Sequence, residues 1–309
     1  METLVLVALF KILIVGIVLC AAAISDIKTR RVSDRYWILL LAASAPLLLV
    51  EIYHMGGAEK PLSFLLLGLP IGFMVFALYG YPEIREIMEG KFEDIIFGIV
   101  YLGAAAATII GAIYGDRSLL GRIAFSSLFM LIYFILYSVP IAGVRIIHGG
   151  ADAKCMISLA AVFPWYGEKL PIWTGPFYDL VIDHTATEFI FPFHFSVMLN
   201  GALVTVVFLA LFLPVMNMIR GRFHPVRMFT SYVLDVDDLA GRFVWVYIEE
   251  DGKRRKVDPT PEVIRDLVED GKKEVRVTPK IPFIVSLALG FAAQVVFGNL
   301  GLILLLWLM

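Results

Sequence analysis

The stretch ILIVGIVLCAAAISDIKTRR, residues 12–31, joins an unbroken apolar run to an aspartate and a basic cluster. A helix needs about 20 apolar residues to cross a bilayer, where lipid offers no partner for unpaired backbone groups. With the apolar residues before it, the run predicts a membrane-spanning helix over residues 4–25, carrying one charge at Lys11. No basic segment precedes Lys11, so we expect a retained span rather than a cleaved signal peptide. Lys11 is expected to reach the interface or to face other helices.

The composition extends this prediction to most of the chain. Of the 309 residues, 60% are hydrophobic and 17% are charged, whereas soluble domains are roughly half apolar and a quarter charged. We therefore predict an all-α polytopic membrane protein with about eight transmembrane helices and a small cytoplasmic α+β insert. The predicted spans cover residues 4–25, 36–52, 62–80, 95–114, 122–145, 153–164, 193–219 and 282–308.

The charges and cysteines exclude several classes of function. A formal net charge of −2, with no basic patch interleaved with aromatics, argues against nucleic acid as a partner. Cys20 and Cys155 form no CxxC pair, so neither a zinc ribbon nor a disulfide framework is expected. We expect no metal and no cofactor. Lys and Arg are concentrated in one set of loops, which predicts that those loops are cytoplasmic and that both termini are outside.

Residues 220–281 form a polar segment on the predicted cytoplasmic side. FVWVYIEE, Asp251-Gly252 and KRRKV together predict a β-hairpin with a primed turn. Thr260 and Pro261 predict the start of a helix that ends at Gly271, and EVRVT predicts a further strand. The predicted domains are 1–219 as a transmembrane core, 220–281 as a cytoplasmic α+β domain, and 282–309 as a C-terminal transmembrane helix.

Two aspartates at the edge of the predicted bilayer are the candidate functional residues. Asp26 closes the first span, in AAISDIKTRR, and Asp152 precedes the sixth, in HGGADAKCM. The predicted topology places both at the cytoplasmic depth, although they are far apart in the sequence. A charge at mid-bilayer costs on the order of 3 kcal/mol or more, so charges near the apolar layer are functional candidates. Alternatively, each aspartate caps a helix or pairs with the lysine two residues later, Lys28 or Lys154.

The residues before Asp152 suit a carboxylate at the start of a helix. Gly149 and Gly150 permit positive φ and close backbone approach, and Ala151 keeps the approach to Asp152 uncrowded. Two carboxylates that meet share one proton, so one can activate water while the other protonates a peptide carbonyl. A helix N-terminus favours an ionised Asp152, and a helix C-terminus disfavours an ionised Asp26. On this dipole argument Asp152 is the base and Asp26 is the acid.

The segments around the two aspartates resemble the motifs of one protease family. GGADAK, residues 149–154, resembles the GxGD motif of intramembrane aspartyl proteases, with alanine at the third position. SDIKTRRVSD, residues 25–34, is similar to the first-aspartate region of the type IV prepilin peptidases, and the archaeal branch with the preflagellin peptidases fits best. A proline often precedes the position of Asp34 in that family, and this chain has Ser33 there. The resemblance covers the first six predicted spans and extends to TPKIPFI, residues 278–284.

The resemblance implies an aspartic endopeptidase with Asp26 and Asp152 as catalytic residues, in a catalytic core of residues 1–219. Its substrates would be precursors of archaellins or type IV pilin-like proteins, and its partners these precursors and the lipid bilayer. It would remove a short basic leader peptide at the cytoplasmic face of the cell membrane. Bacterial members often carry a cysteine-rich zinc loop and also methylate the new N-terminus. This chain has no such loop, so we expect no methyltransferase activity.

Lys154 and Asp34 each have two interpretations. Lys154 either anchors its helix at the headgroups or tunes the aspartate pair, and its i,i+2 spacing from Asp152 favours anchoring. Asp34 either binds a basic leader residue or caps the second span, and the Ser33-Asp34 pair before an apolar run favours capping. The acidic residues within 83–94 could attract a basic leader, although a solvated loop face is the commoner explanation.

Other classes of function stay open at this point. A proton-coupled membrane transporter also uses paired intramembrane acids, but holds them near the midplane and often has inverted repeats, which this sequence lacks. A non-catalytic scaffold of a secretion system would use the aspartates only as helix caps. A presenilin-like GxGD protease, which cuts inside other membrane helices, carries a Tyr-Asp pair where this chain has Ser25-Asp26.

Overall fold

The structure is a computed structural model that describes the chain in several stretches. They are residues 2–55, 119–138, 147, 149–164, 192–221, 227–250, 253–301 and 303–304. Their helices are α1 (Glu2–Thr29), α2 (Arg35–Met55), α3 (Leu119–Ser138), α4 (Gly150–Val162), α5 (Phe193–Ile219), α6 (Pro261–Glu269) and α7 (Phe283–Phe297). Their strands are β1 (Tyr232–Asp235), β2 (Val244–Glu250), β3 (Lys253–Val257) and β4 (Glu274–Pro279). The described part is thus mostly helical, with one small antiparallel sheet.

Three of the described helices are long and apolar enough to cross a membrane. They are Thr3–Thr29 of α1 and the whole of α2 and α5. On α1, the side chains of Leu6, Phe10, Leu13 and Ile17 recur at helical spacing, and more than half of each is exposed. Such an exposed apolar stripe is expected to face lipid. The buried stripe of the same helix comprises Ala8, Val15, Leu19 and Ala22, and α1 packs against α2 and α7.

α4 is a short helix enclosed by other helices. Its 13 residues rise by about 20 Å, too little for the predicted sixth span, 153–164, to cross a bilayer alone. Every side chain from Cys155 to Val162 is buried, because α4 packs against α3 and α2 and touches α7. A helix that is apolar all round suits such an enclosed position. α4 therefore holds Asp152 at one end of a packed core.

A buried ion pair links α1 to α2. The Lys11 ammonium binds the Glu51 carboxylate, and the two side chains are 2% and 5% exposed. The Lys11 Nζ also lies 5.7 Å from the ring centre of Phe163, within the range of a cation–π contact. Of the two expectations for Lys11, the second holds: the side chain faces other helices.

α5 and α7 approach each other closely at two glycines. A Cβ added to Gly290 would fall 2.7 Å from the Cα of Gly201, closer than Cβ atoms come to other atoms in proteins. Small residues of this kind allow membrane helices to pack backbone against backbone. The Asn200 amide joins the same two segments, because it donates to Gln294 Oε1 at 2.9 Å and to the Gly298 carbonyl at 2.8 Å.

The predicted eighth span, 282–308, is not one continuous helix. α7 ends at Phe297, and Gly298 follows with a φ of 77°, a left-handed conformation that terminates helices. Because the residues on both sides of this glycine are apolar, the sequence does not reveal that the helix ends here. α3 begins at Leu119, ahead of the predicted fifth span. The predicted third and fourth spans, 62–80 and 95–114, lie outside the described residues.

The four strands form a sheet in the order β1-β4-β2-β3, with every neighbouring pair antiparallel. The predicted hairpin is confirmed by β2 and β3, in which Val246 faces Val257; its turn, 251–252, lies outside the described residues. The predicted helix is α6, and the Thr260 hydroxyl caps it by accepting the Val263 N–H at 3.3 Å. EVRVT lies in β4. Among the described strands, β1, which pairs with β4, was not predicted.

The described chain divides into two compact units, and one boundary falls inside α5. The first unit is Met1–Gly201 with Phe283–Met309, and the second is Ala202–Pro282. The predicted cytoplasmic domain started later, at residue 220. In the second unit, the second half of α5 adds side chains to the apolar core of the sheet: Leu209, Phe212, Leu213 and Met216.

Candidate active site

Asp26 and Asp152 lie close together in the first unit. Asp26 occupies the last turn of α1, and Asp152 occupies the first turn of α4. Both are partly buried. They are near enough for the charge of Asp26 to act on Asp152. The fold thus brings together the two residues that the sequence singled out.

The carboxylate of Asp152 folds back over Gly149. A Cβ on Gly149 would fall 2.9 Å from Asp152 Cγ and closer still to Oδ2. Gly149 has φ −98° and ψ 127°, ordinary extended values, so its backbone does not use the positive φ that glycine permits. Its carbonyl accepts the N–H groups of Asp152 and Ala153 at 3.1 and 3.2 Å. The first glycine of the motif is required because it leaves space for the carboxylate.

Gly150 lies against Tyr137 of α3. A Cβ on Gly150 would fall 3.3 Å from the Tyr137 hydroxyl oxygen, a tight contact with the end of a side chain. The phenol of Tyr137 therefore lies at the start of α4, beside the motif. Nothing in the sequence singles out Tyr137, because α3 has the pattern of an ordinary apolar span. Ala151, the next motif residue, is partly buried.

Asp26 has two groups beside it that stabilise a negative charge. The charge of Arg30, one turn later, acts on Asp26, and the backbone N–H of Ile284 forms a hydrogen bond with it. Ile284 lies in the first turn of α7, where helical N–H groups have no partner within the helix. Partial burial of Asp26 opposes the charge that these groups stabilise, and burial is the largest of the three influences. The i,i+4 spacing of Asp26 and Arg30 could have been found in the sequence, whereas Ile284 could not.

The turn after Asp26 has a fixed and unusual backbone. Arg30 has a φ of 54°, which residues other than glycine rarely adopt. Its N–H donates to the Asp26 carbonyl at 3.0 Å. The hydroxyls of Ser25 and Thr29 both donate to the Arg31 carbonyl at 2.9 Å. Backbone strain of this kind persists where surrounding contacts determine it, and it clusters at functional sites.

Asp152 precedes the predicted sixth span, and its environment favours the protonated carboxyl. Burial, followed by the charge of Asp26, raises the pKa of Asp152 to about 7. The N-terminus of α4 acts in the opposite direction. This pKa favours the reverse of the assignment from helix dipoles, with the shared proton on Asp152 and the charge on Asp26.

Lys154 binds Asp34. Its ammonium donates to both carboxylate oxygens of Asp34 at 2.8 Å, and its side chain is 18% exposed. Asp34 still occupies the expected capping position, because its carbonyl accepts the Trp37 and Ile38 N–H groups at the start of α2. A basic leader residue would have to compete with Lys154 for this carboxylate.

Several other sequence features lie outside the described residues, namely His148 and the acidic residues within 83–94. Within the stretches that are described, no group of three or more His, Cys, Asp or Glu side chains is placed to hold a metal ion. Cys155 is buried in α4, directly after the motif.

The fold is that of a mostly helical protein with helices that could span a membrane. The described chain is mostly helical, has three helices that could span a membrane, and carries a small antiparallel sheet. At one end of its helical unit it holds a pair of interacting aspartates. No protein-family model and no curated protein matches the chain.

Proposed function

We propose that this chain is a membrane aspartyl endopeptidase that removes short basic leader peptides from archaellin or type IV pilin-like precursors. The observation that carries the proposal is the interaction between Asp26 and Asp152, on two helices far apart in the sequence. The resemblance of GGADAK and SDIKTRRVSD to the prepilin peptidase motifs supports the substrate class. In this proposal the site lies at the cytoplasmic face of the cell membrane.

The pair supplies both a base and an acid for peptide hydrolysis. Asp26, beside Arg30 and the Ile284 N–H, takes a proton from water as the water oxygen bonds to the scissile carbonyl carbon. Asp152, protonated below about pH 7, gives its proton to the carbonyl oxygen. The tetrahedral intermediate then collapses and the C–N bond breaks. Asp26 passes its proton to the leaving amine, and Asp152 recovers its own.

The placement of the pair suits a cut at the edge of a membrane. Both aspartates lie at helix ends and are partly exposed, so water can reach them without crossing an apolar layer. A leader peptide is polar, and the segment after the cut is an apolar helix. The boundary between the two would lie at the depth at which α1 ends.

A proton-coupled transporter is the second candidate, and the buried Lys11–Glu51 pair favours it. Ionisable residues inside membrane spans often belong to proton or ion pathways. Proton uptake into liposomes that contain the purified chain tests this alternative. Uptake that Glu51→Gln abolishes, in a chain that cleaves no precursor, would favour transport.

Cleavage of a precursor tests the peptidase proposal. Membranes that contain the chain are mixed with an archaellin or pilin precursor, and loss of the leader is scored by gel shift. Asp26→Asn and Asp152→Asn are each expected to abolish the shift, because asparagine keeps a helix cap but cannot transfer the proton. Asp237→Asn, on an exposed turn of the second unit, is the matched control and should cleave normally. Cleavage by either active-site variant would contradict the proposal.

A further inference from the structure

We propose that the Lys154–Asp34 ion pair is a positioning device that sets the separation of Asp26 and Asp152. It links the start of α4 to the connection between α1 and α2 through two hydrogen bonds of 2.8 Å. Its chemical role rests on the proposed peptidase function, whereas its effect on the geometry of the aspartate pair does not. Lys154 and Asp34 are accordingly positioning residues, because they bind each other and act on the aspartates through the segments that carry them.

The first argument is that the ion pair closes a loop of contacts around the site. Asp34 follows Asp26 by eight residues, and Lys154 follows Asp152 by two residues. The ion pair therefore joins the two segments that carry the aspartates. The interaction between Asp26 and Asp152 is the other link of the same loop. A change at the ion pair must alter the angle or the distance between α1 and the start of α4.

The second argument concerns the two sides of α4. Residues two apart on a helix point about 200° apart, so Asp152 and Lys154 reach in different directions. The Asp152 carboxylate lies over Gly149, and the Lys154 ammonium lies on Asp34. No side chain caps the start of α4 at Gly149. Lys154 is thus a side chain that fixes the first turns of α4 from outside the helix.

The third argument is that the connecting turn is stiff enough to transmit the constraint. Ser25 and Thr29 hold the Arg31 carbonyl with two hydrogen bonds of 2.9 Å. Ser33 Oγ accepts the Arg35 N–H at 3.4 Å, at the start of α2. Asp34 is therefore only three residues from a carbonyl that the last turn of α1 holds, so we expect a shift of Asp34 to be transmitted towards Asp26.

The test follows the titration of Asp152, which reports on the separation of Asp26 and Asp152 and needs no peptidase activity. The carboxyl band of Asp152 is followed by infrared spectroscopy against pH in the full chain, and Asp152→Asn identifies the band. Asp26→Asn should lower the titration midpoint, because it removes the charge that raises the pKa of Asp152. In the Lys154→Met background, we expect Asp26→Asn to shift the midpoint of Asp152 by about half as much or less. The reason is that Coulomb coupling between the two aspartates falls as they separate. The comparison within the Lys154→Met background cancels the direct effect of the lost lysine charge.

Catalysis gives the second readout. Lys154→Met and Asp34→Asn are each expected to lower kcat by about tenfold or more, with KM within about threefold, because they misplace the pair without removing it. The exchanged variant Asp34→Lys/Lys154→Asp should recover most of the loss. Lys28→Met is the matched control: Lys28 is exposed on the last turn of α1, and both readouts should stay as in the unaltered chain.

The two proposals fail in different ways. If Lys154→Met leaves both the effect of Asp26→Asn and kcat unchanged, the positioning role is wrong and the peptidase proposal stands. If the coupling collapses in Lys154→Met but the unaltered chain cleaves no precursor, the positioning role stands and the peptidase proposal is wrong. If Lys154→Met does not fold, the same measurement is made on Asp34→Asn, in which asparagine has nearly the size of aspartate and Lys154 is unaltered. A normal Asp152 coupling in Asp34→Asn overturns the positioning role.

Discussion

At Gly149, the absence of a side chain leaves the space that the Asp152 carboxylate occupies. The neighbouring glycine is less constrained, because its missing Cβ would meet only the end of the Tyr137 side chain. The two glycines of the motif thus have different structural roles. The first sets the direction of the Asp152 carboxylate, and the second allows α3 and α4 to approach.

We expect Gly149→Ala to reduce precursor cleavage by about a hundredfold, because a carboxylate displaced by about 1 Å loses its alignment with the substrate. Gly150→Ala is the matched control, and its loss should be at least tenfold smaller, since the Tyr137 side chain can move aside. The measurement is kcat/KM for both variants at equal expression. Equal losses in the two variants would show that the Asp152 carboxylate does not lie over Gly149.

The pH dependence follows from the charge on Asp152. Burial and the charge of Asp26 raise its pKa to about 7. Asp152 must be protonated to act as the acid, so kcat/KM should fall as the pH rises through about 7 and level off below it. A profile of kcat/KM against pH measures this directly. A rate that increases through that range would make Asp152 the base, as the dipole argument had it.

At the scale of elements, α1 is held by two kinds of contact. One is the buried Lys11–Glu51 pair with α2. The other is its packing against α7, where a Cβ on Gly16 would meet Phe291 Cε1 at an ordinary 3.8 Å. α7 in turn touches α5 at Gly290, where no Cβ fits. These contacts keep the end of α1, and Asp26 with it, beside the first turn of α7.

Breaking the Lys11–Glu51 pair should destabilise the protein by about 3–5 kcal/mol, because the remaining buried charge loses this ion pair. Lys11→Met therefore lowers the unfolding midpoint in detergent, and so does Glu51→Leu. The double variant should recover most of the loss, since two apolar side chains replace a buried pair at little cost. Additive losses in the double variant would argue that the pair does not act as a unit.

Alanine at two glycines should have opposite effects on stability. Gly290→Ala is expected to cost about 1–3 kcal/mol, because α5 and α7 must separate to admit the methyl group. Gly16→Ala lies in a helix with room for the group, and it should stabilise the chain by up to about 1 kcal/mol. Thermal unfolding of both variants checks the pair. A stabilising Gly290→Ala would contradict the close contact at Gly201.

At the scale of the whole molecule, local sequence patterns predicted many of the helices and strands. They did not predict which distant residues pair. The apolar runs predicted α1, α2 and α5, and turn and cap residues predicted the β2–β3 hairpin and α6. Lys154 and Asp34 lie 120 residues apart, and Lys11 and Glu51 lie 40 apart. Such pairs depend on how helices pack, and helical periodicity alone does not contain that information.

The aspartate pair is an intermediate case. The Lys and Arg counts of the loops predicted the same membrane depth for both aspartates, and the motif resemblance predicted that they form one site. The raised pKa of Asp152 favours the opposite of the proton assignment from the ends of α1 and α4, because burial and the charge of Asp26 both raise that pKa. The Ile284 N–H, which comes from the far end of the chain, had no local signal at all.

The central claim is that Asp26 and Asp152 act as one site. Its most direct test is kcat/KM of the purified chain on a synthetic precursor for Asp26→Asn, Asp152→Asn and the double variant. Residues that act as a unit give losses that do not multiply. We predict that each single variant loses at least about a thousandfold and that the double variant loses no more. Substantial activity in either single variant, or losses that multiply in the double variant, would contradict the aspartyl pair.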